Sequence, residues 1–132
     1  NLNNDISRDI HQSLALDFKQ IGHLNKAKLE AELVLKLDRK NLWANEFLLD
    51  IYENQRNWDQ ATQITKSIQK LKQSQDPNQI ARFLVYQGMD KLEKGQQKQA
   101  EAQFNKAVKT APEFGLPYLR LGNLFAENRD LL

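Results

Sequence analysis

Two histidines and one pair of carboxylates are the side chains whose type and spacing could do chemistry. His11 and His23 stand 12 residues apart. A helical metal site wants ligands at i and i+4, one turn apart on one face. A separation of 12 sets the two rings near opposite ends of one helix, and neither has an obvious acidic partner. Each is expected in a solvated or capping role. Asp50 and Glu53 are spaced i, i+3 and share a helix face. Paired carboxylates in acid–base catalysis need that proximity, but an ordinary solvated face has it too, and that is the expected role. The chain has no cysteine, so disulfides, thiolate zinc sites and thiol nucleophiles are excluded within it. It carries neither a nucleophile elbow nor a phosphate-binding glycine loop. These residues point away from an enzyme and call for no cofactor and no metal.

The bulk composition sets the class. The 132 residues suffice for one domain with a modest core. With 19 Lys and Arg against 17 Asp and Glu, the net charge is +2. The signs are interspersed, as in residues 26–32, which reads as a solvated helix face and not as a nucleic-acid footprint. No apolar run approaches the roughly 18 residues that span a bilayer, so direct membrane insertion by this stretch is not expected. The missing cysteine fits a reducing, cytoplasmic location. The chain opens on Asn1, with no initiator Met, and is expected to be a piece of a longer protein.

The elements that position these side chains are helices. Gly (5) and Pro (3) are scarce, and straight-chain residues abound. Apolar residues never alternate over a strand's length. Helices are expected near 4–21, 25–38, 42–54, 58–73, 77–94, 96–110 and 116–128. Asn41, Asn57 and the Asp76–Pro77 pair mark starts, and Gly22 and Gly95 mark ends.

The helices repeat. Ala27 and Ala61 are 34 residues apart, and Ala100 follows 39 later, with residues 73–78 as an insertion. A 34-residue helix–turn–helix period is that of tetratricopeptide (TPR) repeats. The third repeat carries the family pattern as Gly88, Gly95, Ala100, Phe104, Ala107 and Pro112 at positions 8, 15, 20, 24, 27 and 32. Small residues at positions 8 and 20 let the paired helices approach, and larger residues fill the space around them. Repeats are expected near 8–41, 42–75 and 81–114, with a partial repeat at 115–132, all in one domain. The expected architecture is all-α: a right-handed α–α superhelix of about three and a half repeats. Tyr52, Trp58 and Phe104 are expected in its core.

Repeat positions 2, 5, 9, 12 and 13 face the concave side, where arrays of this kind take protein or peptide partners. They hold Asp9, Gln12, Leu16, Lys19 and Gln20 in the first repeat, and Trp43, Glu46, Asp50, Glu53 and Asn54 in the second. In the third they hold Arg82, Val85, Met89, Leu92 and Glu93, and in the fourth Leu116, Leu119, Asn123, Ala126 and Glu127. The early part of this surface is acidic and the later part apolar. That suits an amphipathic helix or extended segment with apolar anchors and a basic residue. Packing competes with this reading: Leu116 and Leu119 serve a groove or a missing repeat, Trp43 an anchor or a neighbouring helix, and Met89 commonly fills gaps. Position 5 holds Gln12, Glu46, Val85 and Leu119, so the basic clamp of TPR domains that bind chaperone tails is missing. A rival reading is structural. Tyr118, Leu121 and Phe125 lack the second helix they should cover, which invites a homodimer through the terminal helix.

One stretch is more specific. Residues 45–61, with Leu48, Leu49, Ile51, Tyr52, Trp58 and Ala61, resemble the middle repeats of the lipopolysaccharide assembly protein B (LapB, or YciM) family. Ile80, Ala81 and Phe83 match that family's next helix start, and residues 14–18 and 22–27 resemble its upstream repeat. The likeness covers roughly 10–125. It implies the cytoplasmic part of an adaptor anchored to the bacterial inner membrane. Such an adaptor regulates lipopolysaccharide synthesis by promoting proteolysis of the lipid A pathway deacetylase through a membrane-bound AAA protease. The family's membrane helix and rubredoxin-like zinc module are not in this sequence.

Overall fold

The computed structural model describes residues 2–130, with side chains described through Glu127. Asn1 and residues 131–132, the end of the expected fourth repeat, lie outside the described residues. The described residues form α1 (Leu2–Gln20), α2 (Leu24–Leu37), α3 (Leu42–Asn54), α4 (Trp58–Lys72), α5 (Pro77–Glu93), α6 (Gln97–Thr110) and α7 (Gly115–Asp130), with no strand among them. Every bound falls within two residues of its expected place.

The starts follow from caps. The Asn41 side chain accepts a hydrogen bond from the Ala44 amide at 2.9 Å, and Asn57 accepts one from Gln60 at 3.4 Å. Asp76 accepts from the Asn78 amide at 3.2 Å, with Pro77 in the first turn. Each satisfies a donor that the first turn leaves open. The turns inside each helix pair share one closure. His23 N donates to Phe18 O, Asn57 N to Tyr52 O and Gln96 N to Lys91 O, each at 2.8–2.9 Å. This closure needs a left-handed residue at the preceding position. Gly22 (φ +84°) and Gly95 (φ +75°) supply it without a Cβ penalty, whereas the second repeat uses Arg56 (φ +56°).

Short turns fold α1 on α2, α3 on α4 and α5 on α6, and α7 lies against both α5 and α6. Pairs join through α2 on α3 and α4 on α5. The result is an all-α, right-handed TPR-type superhelix. Its core has two centres. One gathers Ala15, Ala27, Ala31, Leu48, Ile51, Tyr52 and Ala61, and it reaches forward to Phe83. The other gathers Ala81, Leu84, Val85, Ala100, Phe104, Ala107 and Leu124. Helix α5 joins them, with Phe83 turned to the first and Leu84 and Val85 to the second. Tyr52 and Phe104 are buried as expected, and Trp58 is half-buried against the first centre.

Candidate functional site in the concave groove

The first helices α1, α3, α5 and α7 line one side of the array, and their groove side chains fall into three stretches. Between α1 and α3 the groove is closed by its own charges. Lys19 Nζ donates to Asp50 Oδ2 at 2.6 Å and lies 5.2 Å from the centre of the Phe47 ring. Glu46 is likewise engaged, with Lys72 Nζ at 3.0 Å. Trp43 leans on Phe47, ring centres 4.9 Å apart, and packs half-buried against the first core. Leu16 stays exposed.

Between α3 and α5 lies a cleft of about 240 Å3, lined by Glu53, Trp58, Gln79, Arg82, Phe83 and Tyr86. Trp58 is stacked on Phe83 at 5.7 Å and tilted against Tyr86 at 4.8 Å. Its indole N–H donates to Asp90 Oδ2 at 3.0 Å, and the other oxygen of that carboxylate accepts from Arg56 at 2.6 Å. Asp90 therefore ties the turn of the second repeat to the first helix of the third. Arg82 reaches away to the Phe114 ring at 5.7 Å. Burial and the nearby Asp50 push the Glu53 carboxyl above the ordinary glutamate range, and Arg82 opposes them.

Between α5 and α7 a second cleft of about 220 Å3 is lined by Met89, Leu92, Glu93, Arg120, Asn123, Leu124 and Glu127. Met89, Leu92 and Leu116 are half-buried against the second core, while Leu119 is 58% exposed. Val85 is a correction. It is fully buried within the second core and offers nothing to a partner, because α5 turns that face into its own repeat.

Two more expectations change in detail. His11 has an acidic partner after all: its Nδ1 sits 2.5 Å from Glu30 Oε2 of α2, brought in by the helix pairing. His23 occupies the cap position of α2 without making a side-chain cap bond. No group of three or more His, Cys, Asp or Glu among the described residues could hold a metal. No described helix is long and apolar enough to cross a membrane.

Sequence reasoning missed three surface features. The Trp58–Tyr86–Glu53 cleft was hidden because Trp58 occupies a position that normally only packs. Leu2, Ile6 and Ile10 on α1 and Leu29, Leu33 and Leu37 on α2 are exposed. Their i, i+4 spacing was the available signal. A hollow of about 620 Å3 behind α3 is lined by Leu35, Asn45, Ile64 and Leu71 under Arg39, Lys40 and Lys70. Lys70 lies in the last turn of α4, where the helix dipole already favours a cation.

No protein-family model matches the chain, and no curated protein does. Among solved structures, the N-terminal domain of stress-induced protein 1 from C. elegans superposes with a TM-score of 0.54 at 13% identity, covering 94% of this chain and 98% of that one. A mutant O-GlcNAc transferase of Thermobaculum terrenum gives 0.49 at 16% identity, over 92% of this chain and 22% of the transferase. PilF of Pseudomonas aeruginosa gives 0.43 at 17% identity, over 97% and 72%. Together with the 34-residue period and the paired helices, the first of these likenesses identifies the fold as that of the tetratricopeptide repeat.

Proposed function

We propose that this chain is a non-catalytic scaffold whose concave groove holds a segment of a protein partner. The observation that carries it is the apolar and polar groove surface left open from α3 to α7. Leu119 is 58% exposed there, with Met89 and Leu92 lining a cleft beside it. Leu119→Glu changes an exposed side chain, so it is expected to abolish partner binding with helicity and melting midpoint unchanged. Unimpaired binding by this variant would place the interaction elsewhere.

The narrower reading is an adaptor of the LapB kind. The sequence at 45–61 and 80–83 supports it, and it names the lipid A deacetylase and a membrane-bound AAA protease as partners. Direct binding of this chain to the purified deacetylase, or to the cytoplasmic part of the protease, tests it. Binding to neither leaves the general scaffold reading standing and removes the lipopolysaccharide one.

A second reading, self-assembly, is favoured by the apolar ends of the array. Tyr118 is 48% and Phe125 51% exposed on α7, and Leu2, Ile6 and Ile10 are exposed on α1. Light scattering across a concentration series decides it; a strictly monomeric mass at high concentration removes it.

A further inference from the structure

We propose that the cleft between α3 and α5 is a subsite for one basic side chain, Arg in preference to Lys, presented by the segment that the groove holds. The inference rests on the groove reading above and narrows it to a partner of stated charge.

The charge balance of α3 is the starting point. Three carboxylates of the groove sit on this helix, and two are already neutralised within the chain: Glu46 by Lys72 and Asp50 by Lys19. Glu53 makes no hydrogen bond or ion pair among the described residues, although it is half-buried. Arg82 lines the same cleft and favours the Glu53 charge, but it makes no ion pair with Glu53, and its guanidinium lies 5.7 Å from the centre of the Phe114 ring. An entering cation offsets by its charge both influences that act against the Glu53 carboxylate, burial and the nearby Asp50. An anionic side chain would meet the unpaired Glu53 carboxylate there, and a neutral one would deepen its desolvation.

The walls select the same occupant. Trp58, Phe83 and Tyr86 border the cleft, and aromatic faces attract cations. A planar guanidinium can lie on such a face and still direct N–H donors at a carboxylate, which a compact ammonium does less well. Gln79 adds an amide carbonyl as a further acceptor. At about 240 Å3 the cleft is smaller than the roughly 300 Å3 at which small-molecule pockets begin, so it fits one long side chain and not a whole ligand. The aromatic wall is rigid. Trp58 is stacked, tilted and hydrogen-bonded to Asp90, so the subsite is formed before the partner arrives. Along the groove the α5–α7 cleft follows with Met89 and Leu92, and Leu119 is exposed on α7, so the fitting segment carries its basic residue at a fixed spacing from apolar anchors.

The test is selection of binders to the intact chain from a random peptide display library. Affinities of the selected synthetic peptides are then measured by calorimetry. The expected result is an Arg or Lys at a constant spacing from an apolar residue. Replacing that residue by norleucine should weaken binding about tenfold, roughly what one charge-assisted contact contributes. Glu53→Gln should lose the same factor, with no further loss when both changes are combined, while Glu113→Gln loses nothing. Peptides that need Leu119 but carry no basic residue at a fixed place, or that ignore Glu53→Gln, overturn the subsite and leave the groove standing. Acidic peptides as the selected class overturn it as well. A library yielding no binder displaced by Leu119→Glu overturns the groove reading and the subsite together.

Discussion

The second and third repeats solve the same packing problem with opposite choices. Position 8 holds Leu49 in one and Gly88 in the other, and position 24 holds Thr65 and Phe104. At Gly88 the backbone is bare and the Phe104 ring occupies the room a side chain would take. A Cβ added there would fall onto the ring, 2.7 Å from Cδ1. In the second repeat the large residue is on the first helix and the small one on the second. Helices α5 and α6 correspondingly lie against each other more extensively than α3 and α4 do. Between these two repeats the large residue changes helix and the summed volume across the contact is roughly kept, whereas the first repeat has Ala15 and Ala31 at the same two positions. The turn shows a second difference. The third repeat reaches its left-handed position with Gly95, the second with Arg56, whose side chain binds Asp90 of the next repeat. Backbone strain is accepted where the side chain makes a tie that glycine cannot.

The largest expected effect tests this exchange of volume between the second and third repeats. Gly88→Leu should destabilise the chain by about 3 kcal/mol through overpacking. Phe104→Thr should cost about 3–5 kcal/mol by leaving a cavity. The double variant, which imposes the second repeat's pair on the third, should cost less than the sum by at least about 1 kcal/mol in urea unfolding. Strict additivity would break the comparison. Thr65 supplies the next effect. Its hydroxyl is buried with no hydrogen-bond partner among the described residues, whereas Thr62 donates to Trp58 O at 2.7 Å. Thr65→Val keeps the shape and removes the unsatisfied group, so it should stabilise by about 1 kcal/mol.

The helices, their caps and the repeat period were legible because each rests on local chemistry: Asn41, Asn57 and Asp76 at starts, Gly22 and Gly95 at ends. The groove positions were legible only as a register. A register says which side of α5 a residue takes, and it does not say whether that side is covered. Val85 was misplaced for this reason, since the coverage comes from residues as distant as Leu124. The Asp90 tie and the His11–Glu30 contact join residues 32–34 and 19 positions apart. Nothing in a single sequence marks such pairs. The α3–α5 cleft depends on the stacking of Trp58 on Phe83, which a repeat position read as packing could not anticipate.

The turn comparison is sharpened by exchanging its residues. Gly95→Arg places a side chain at φ +75° in a turn with no counterpart of Asp90 to bind, and should cost about 1 kcal/mol. Arg56→Gly relieves the backbone but releases Asp90, two opposed changes, so its melting midpoint should move much less. An equal loss from Arg56→Gly would show that in the second repeat's turn the tie to Asp90 outweighs the backbone relief.

The smallest effect is on Glu53, and its sign separates two views of the α3–α5 cleft. Burial and Asp50 raise its folded pKa above the unfolded value, with Arg82 opposing. The native state therefore holds this proton more tightly than the unfolded chain does. Stability linked to the group is lost as pH rises from the ordinary glutamate range through the raised folded value. Glu53→Gln removes the charge without changing the shape. The variant should match the parent chain at pH below the glutamate range and exceed it slightly at pH 7, within about 0.5 kcal/mol as for other substitutions near the surface. The check is a pair of urea titrations at the two pH values. A variant less stable than the parent at pH 7 would mean that Arg82 already neutralises Glu53, as Lys19 neutralises Asp50. The carboxylate would then have no charge to offer a partner, and the contrast between the closed α1–α3 stretch and the open α3–α5 stretch would disappear.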